Sequence, residues 1–114
     1  MRPRDWRVRI EDMLQAIEYI EKFAAGLDSE SFQASPIARF AVISNLAIIG
    51  EAANHLPEEV RQLRPDIPWR DVRDMRNLIV HQYFEVDVSI IWQTIQDDLP
   101  LLKDALLDIL GREP

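Results

Sequence analysis

The chain has 114 residues, of which 47% are hydrophobic, so residues 1–114 are predicted to form one compact domain. The formal charge of −7 argues against broad, charge-driven binding of nucleic acid, because neutralising phosphates needs clustered Lys and Arg. The absence of cysteine excludes disulfides, thiolate metal sites and a cysteine nucleophile.

The first residues of the chain have no apolar stretch behind their charges, unlike a signal peptide. No uninterrupted apolar run approaches the roughly 20 residues that a membrane span needs. A chain without cysteine also fits a reducing compartment. We therefore expect a cytoplasmic protein that makes no contact with membranes.

Apolar residues at steps of three and four predict a first helix from about Asp5 to Gly26. Asp5 is a candidate N-cap, and Gly26 marks the end of the helix. The next residues, Asp28 to Ser35, are mostly polar and are predicted to form a short connector.

A second helix is predicted from Ser35-Pro36, a capping hydroxyl followed by proline, to about His55. Its residues are apolar nearly all round, so the helix is either central in a bundle or covered by a partner subunit as well. Gly50 in its interior costs roughly 1 kcal/mol relative to alanine. Close helix packing would explain that cost.

The segment after the second helix is short and rich in proline. Pro57 stops the helix, and Glu58 to Leu63 are predicted to add one or two helical turns. Arg64 to Pro68 then form a stiff link between elements. A third helix is predicted to begin near Trp69 and to end around His81 to Glu85.

The last predicted helix is capped by Asp87 and ended by Gly111. Pro100 should kink or split it, because proline cannot donate a backbone hydrogen bond. With short connections between helices, the sequence predicts an all-α fold, an antiparallel bundle of four to five helices.

Positive charge gathers in one segment of this acidic chain. Residues 60–81 contain five arginines against three aspartates, a local net charge of +2, whereas residues 82–114 contain seven acids against two bases, a net charge of −5. The basic segment ends in a run that combines Arg76, Asn77 and His81, and Tyr83 follows closely.

On an ideal helix, Arg76 falls inside the apolar stripe, about 20° from Trp69. A guanidinium rarely accepts burial unless it is paired or faces a ligand or an interface. His81 falls about 140° from Arg76, so the two cannot converge on one straight helix. Either the backbone turns before His81, or a second copy of the chain completes the site. We expect a two-fold homodimer with the paired residues at its seam.

These residue types suit metal-free cleavage of RNA. Histidine can take a proton from a ribose 2′-hydroxyl near neutral pH, and Arg76 can hold the scissile phosphate with two hydrogen bonds. Asn77 could steady the phosphate or the imidazole. Structural roles remain open: His81 as a cap or surface group, Arg76 in an ion pair with Glu51 or Asp74, and the tyrosine as a core aromatic.

Glu51 and His55 lie four residues apart on the second helix and could share a metal ion. No second such pair exists, so neither a metal site nor another cofactor is predicted. Glu51 is instead expected to pair with an arginine and to support the site.

The spacing of Arg76, His81 and Tyr83 resembles the Arg-x4-His-x-Tyr motif of the HepT-like toxins in the HEPN superfamily. Asn77 directly after the arginine suits HEPN nucleases. The residues 50–53, Gly-Glu-Ala-Ala, and the Pro-Trp entry to the third helix are also similar to that family.

The resemblance implies a homodimeric toxin whose two motif copies form a composite endoribonuclease site. It also implies a cognate MntA-type nucleotidyltransferase antitoxin that transfers AMP to Tyr83 and so blocks RNA entry. The acidic balance of the chain favours a restricted substrate, such as one region of a tRNA. The alternative is a non-catalytic helical dimer that binds a nucleotidyltransferase partner or a nucleotide.

Overall fold

A computed structural model describes residues 5–78 and 87–112, which contain helices and turns but no strand. This confirms the predicted all-α fold. The helices are α1 (Trp6–Ala24), α2 (Ser29–Ala34), α3 (Pro36–Asn54), α4 (Glu58–Arg61), α5 (Trp69–Asp74), α6 (Val88–Gln93) and α7 (Leu99–Leu110). A 3₁₀ turn, Met75–Asn77, follows α5, and a π turn, Thr94–Asp98, joins α6 to α7.

The two longest helices, α1 and α3, pack along each other and begin where capping residues predicted. The Asp5 carboxylate accepts a hydrogen bond from the Arg7 backbone N–H at 2.9 Å. The Ser35 hydroxyl oxygen accepts one from the Ala38 backbone N–H at 3.1 Å. Gly26 follows α1 with a φ of 78°, a left-handed conformation that favours glycine.

The prediction of a polar connector between Asp28 and Ser35 is wrong, because α2 lies there. Asp28 caps α2, and Ser31 donates and accepts in a reciprocal capping box. Phe32 is fully buried, with its ring centroid 5.2 Å from that of Trp92. One aromatic in a six-residue helix gives no periodicity for a sequence to reveal.

Helix α3 is the central helix of the described fold. Its inner side packs against α1, α5 and the 3₁₀ turn. Among the described residues, α3 alone has the length and composition to cross a membrane, with a mean hydropathy of 1.3. Half of that stretch is buried inside the protein, as expected of a core helix.

The outer side of α3 is also apolar, as its sequence predicted. Ile37, Phe40 and Ile48 are 76%, 56% and 49% exposed. On α1, Tyr19 and Phe23 are 45% and 44% exposed. We call these five residues the α1–α3 apolar face.

The last helix was predicted to kink or split at Pro100, but helical backbone continues from α6 through the π turn into α7. Asp87 caps α6, accepting from the Ser89 backbone N–H at 3.0 Å. The π turn Thr94–Asp98 stands immediately before α7, whose first turn contains Pro100. The wider π turn thus lies just before Pro100, which has no backbone N–H to donate to the helix. Gly111 caps α7 as predicted.

Candidate active site at the crossing of α3 and the Arg76 turn

Gly50 lets the segment that contains Arg76 lie directly on α3. A Cβ atom at Gly50 would overlap the backbone nitrogen of Arg76. It would also lie 2.9 Å from the Met75 carbonyl carbon and 2.9 Å from the Val72 carbonyl oxygen. All three neighbours are backbone atoms, so only glycine fits this crossing. The close packing that Gly50 predicted is therefore present, and it fixes the backbone at Arg76.

The prediction that Arg76 lies inside the apolar stripe is wrong. Arg76 and Asn77 are exposed, whereas Val72 is buried and Met75 is partly buried. The estimate assumed an α-helix, but Met75–Asn77 form a 3₁₀ turn. A 3₁₀ turn advances about 120° per residue instead of about 100°, so positions read from an ideal α-helix do not apply to Arg76.

The guanidinium of Arg76 is available to a ligand. Within residues 5–78 and 87–112 it has no ion-pair or hydrogen-bond partner, and neither Glu51 nor Asp74 pairs with it. The structural reading of Arg76 as half of a buried ion pair is therefore wrong for these residues. A planar, unpaired guanidinium on a fixed backbone suits the two parallel hydrogen bonds that a phosphate accepts.

Glu51 pairs with a histidine instead of the predicted arginine. Its Oε1 lies 2.9 Å from Nε2 of His55, one helical turn further along α3, and both side chains are about half exposed. Such exposed pairs contribute little to stability. Glu51 lines a groove of about 310 Å³ between α1 and α3, which also includes Arg9 and Asn45. In the described part of the chain, no three acidic, His or Cys side chains gather as a metal site would need.

Tryptophan and arginine side chains fix the entry to α5, the segment predicted to be a stiff link. The Trp69 indole N–H donates to the carbonyl oxygens of Arg61 at 3.1 Å and Arg64 at 3.0 Å. Arg64 makes two 2.9 Å hydrogen bonds to Asp66 and one of 3.3 Å to Asp108 on α7. The hydrogen bonds from Arg64 hold the pKa of the Asp66 carboxyl below its usual range. This network anchors the helix that leads into the Arg76 turn.

His81 and Tyr83 lie outside the described residues, so their roles stay predictions, as does the end of the third helix around His81 to Glu85. Two arginines not predicted as site residues, Arg70 and Arg73, precede Arg76 at steps of three. The excess of positive charge in residues 60–81 includes them, but it does not distinguish them from Arg61 and Arg64, whose side chains have hydrogen-bond partners.

The fold and site define a class: an all-α protein with an exposed arginine on a turn that packs against its core helix. Residues 13–109 match the family model described as Ribonuclease HepT-like. A Thermococcus cleftensis protein named "Probable ribonuclease HepT" is 44% identical over 94 residues, 82% of this chain and 86% of that protein. The chain belongs to the HepT-like ribonuclease family, which confirms the resemblance and the expected enzyme class.

Two further relatives cover nearly the whole chain, and the name of each contains the term RNase. One, from Caldanaerobacter subterraneus subsp. tengcongensis, is 36% identical over 107 residues, 94% of this chain and 96% of that protein. The other, from Methanocaldococcus jannaschii, is 34% identical over 110 residues, 96% of this chain and 95% of that protein. No solved structure matches the chain.

Proposed function

We propose that this chain is a metal-independent endoribonuclease and the toxin of a toxin–antitoxin pair. The observation that carries the proposal is that Arg76 is exposed, has no partner among the described residues and stands on a backbone fixed by Gly50. Membership of a ribonuclease family supports RNA as the substrate. The acidic balance of the chain favours one restricted RNA, such as a tRNA region, over RNA in general.

In the proposed reaction His81 removes the proton from a ribose 2′-hydroxyl, and the 2′-oxygen attacks the adjacent phosphorus. Arg76 holds the phosphate and stabilises its growing negative charge, with the Asn77 amide as a further donor. The bond from phosphorus to the 5′-oxygen breaks, and the leaving oxygen takes a proton from the imidazole of a second copy. The products are a 2′,3′-cyclic phosphate and a 5′-hydroxyl. Glu51 supports the site from α3.

A second copy fits the described surface. The α1–α3 apolar face leaves large side chains in water, and a homodimer would cover them. We propose that this face forms the contact between the two copies of a homodimer. Replacing Phe40 and Ile48 together by glutamate should then give monomers in light scattering and abolish cleavage. Dimers that persist in this variant would place the seam elsewhere.

The proposed regulation acts on Tyr83. A cognate MntA-type nucleotidyltransferase would transfer AMP from ATP to its hydroxyl, close to His81, where a bulky anion repels RNA phosphates. Cytoplasmic co-expression with a nucleotidyltransferase encoded by a neighbouring gene should raise the intact mass of this chain in steps of one AMP. The gain should vanish in Tyr83→Phe. A gain that survives this substitution would contradict the assignment.

The catalytic assignment is tested by growth and by purified protein. Arg76→Ala and His81→Ala should each relieve growth arrest and lower cleavage by at least about 100-fold, with circular dichroism unchanged. Lys22→Ala is the control, because it removes one positive charge that pairs only with Glu18 on its own helix. Cleavage by the wild type should persist in EDTA.

Mutants as toxic and as active as the wild type would refute the proposal. A folded wild-type dimer that binds a nucleotidyltransferase but cleaves no RNA would instead support the non-catalytic alternative.

A further inference from the structure

Several cations of the described chain are paired with acids. Lys22 pairs with Glu18, and Lys103 with Glu21. Arg64 pairs with Asp66 and Asp108, and Arg112 also pairs with Asp108. Other cations, Arg9 and Arg39 among them, have no such partner among the described residues, so what distinguishes a group of them is its position.

Three arginines spaced three residues apart lie without an acid partner on one segment of the described chain. In the part of the chain that the structure describes, Arg70, Arg73 and Arg76 have neither an ion-pair nor a hydrogen-bond partner, although Asp71 and Asp74 lie between them in sequence. Residues three apart on a helix are neighbours, with Cβ atoms about 5–6 Å apart. The three guanidinium groups thus form a basic row that leads along α5 to the candidate active site. Like charges at this spacing destabilise a helix, so the fold gains nothing from them.

Arg73 also carries an unsatisfied polar atom. Its Nε is buried and has no hydrogen-bond partner among the described residues, while the residue as a whole is partly exposed. Part of the Arg73 side chain is therefore held against the protein while part of it reaches solvent. Such an arrangement costs stability unless a ligand uses it. An anion is the ligand that a fixed guanidinium accepts best.

We propose that Arg70 and Arg73 bind the backbone phosphates of the nucleotides next to the one held by Arg76. The inference rests on the proposed ribonuclease function and adds a substrate-binding row to it. The chain has a net charge of −7, so RNA bound away from these arginines gains little. The row therefore makes binding depend on the length of the single strand: only an RNA that extends past the cleaved bond reaches both additional arginines.

The test compares a long and a minimal substrate. The probes are a 12-nucleotide single-stranded RNA with a fluorescent end label and a dinucleotide that contains the same cleavable bond. Arg70→Gln and Arg73→Gln should each raise KM for the long RNA roughly three- to tenfold, with kcat unchanged. Neither should change kcat/KM for the dinucleotide. In binding titrations from 50 to 300 mM salt, each should lower the slope of log Kd against log salt by about 0.7.

Two further variants separate charge from structure. Arg73→Lys keeps the charge and should keep the salt slope while losing part of the affinity. Lys22→Gln removes the same charge at an ion-paired position and should leave KM and slope unchanged. An unchanged KM and slope for the long RNA in Arg70→Gln and Arg73→Gln would overturn the proposal. An equal loss on the dinucleotide would do so as well, because it would place the arginines in the chemistry or the fold.

The proposed function fails separately. If the wild type binds the RNA with the expected slope but does not cleave it, the row stands and the catalytic assignment falls. If the wild type neither binds nor cleaves RNA at 50 mM salt, both are refuted.

Discussion

Replacing Gly50 by alanine should displace Arg76 without touching it. The new methyl group would overlap the Arg76 nitrogen and lie 2.9 Å from two other backbone atoms, so α3 and the Arg76 turn must separate by about 1 Å to reach ordinary contact. Such overpacking costs about 1–3 kcal/mol, against a helix-propensity gain of about 1 kcal/mol. We expect a net loss of up to about 2 kcal/mol and a fall in Tm of roughly 4–8 °C for each kcal/mol lost. Because the turn carries the proposed phosphate clamp, kcat should fall at least about tenfold.

Gly26→Ala is the matched control. Gly26 has a φ of 78° with no atom within 4 Å of a built Cβ, so alanine there is strained by its backbone but displaces nothing. The strain costs about 1–2 kcal/mol, similar to the loss at Gly50. Thermal unfolding and single-turnover cleavage of RNA, measured well below both melting temperatures, separate the two effects. The reasoning is refuted if Gly50→Ala keeps full kcat, or if Gly26→Ala loses as much.

Three other predictions concern stability. Phe32→Ala should cost about 3–5 kcal/mol in urea unfolding, because Phe32 is fully buried; a loss under about 1 kcal/mol would mean that α2 is not docked. The Asp66 pKa is lowered, so this carboxylate stabilises the fold above its unfolded pKa of about 3.9 and stops doing so as the pH falls through its folded pKa. Asp66→Asn should thus lower Tm at pH 7 but not at pH 2, and equal losses at both would contradict this. Arg73→Met should leave Tm unchanged or raise it, because it removes a buried donor that has no partner; a clear fall would show that the arginine stabilises the fold.

The sequence predicted where a helix begins wherever an N-cap residue determines that position. Asp5, Ser35 and Asp87 each accept a hydrogen bond from the first turn of the predicted helix. An N-cap hydrogen bond joins residues only two or three apart, so the local sequence is enough to predict it. Helix α2 was missed because its stability comes from burying Phe32 under other elements, a tertiary effect that a six-residue window does not show.

The sequence predicted Arg76 as a site residue but placed its side chain in the apolar stripe, whereas the residue is exposed. Met75–Asn77 form a 3₁₀ turn where the chain crosses Gly50. This contact joins two segments far apart in sequence, so ideal helical angles could not predict the local backbone. The partner of Glu51 was also predicted wrongly. Its carboxylate pairs with His55 on the next helical turn, and no arginine contacts it in the described chain.

The π turn before Pro100 accommodates one more residue than an ordinary α-helix would have there. Buried residues around it follow steps of four, from Ile91 to Ile95 to Leu99, whereas α7 continues with Leu102. An ordinary helix would rotate such residues progressively away from the interior, and the wider loop of backbone compensates for that drift. The turn is thus the structural trace of one additional residue. Thr94–Asp98 is where the C-terminal helix can gain or lose a single residue while its inward side chains keep their places.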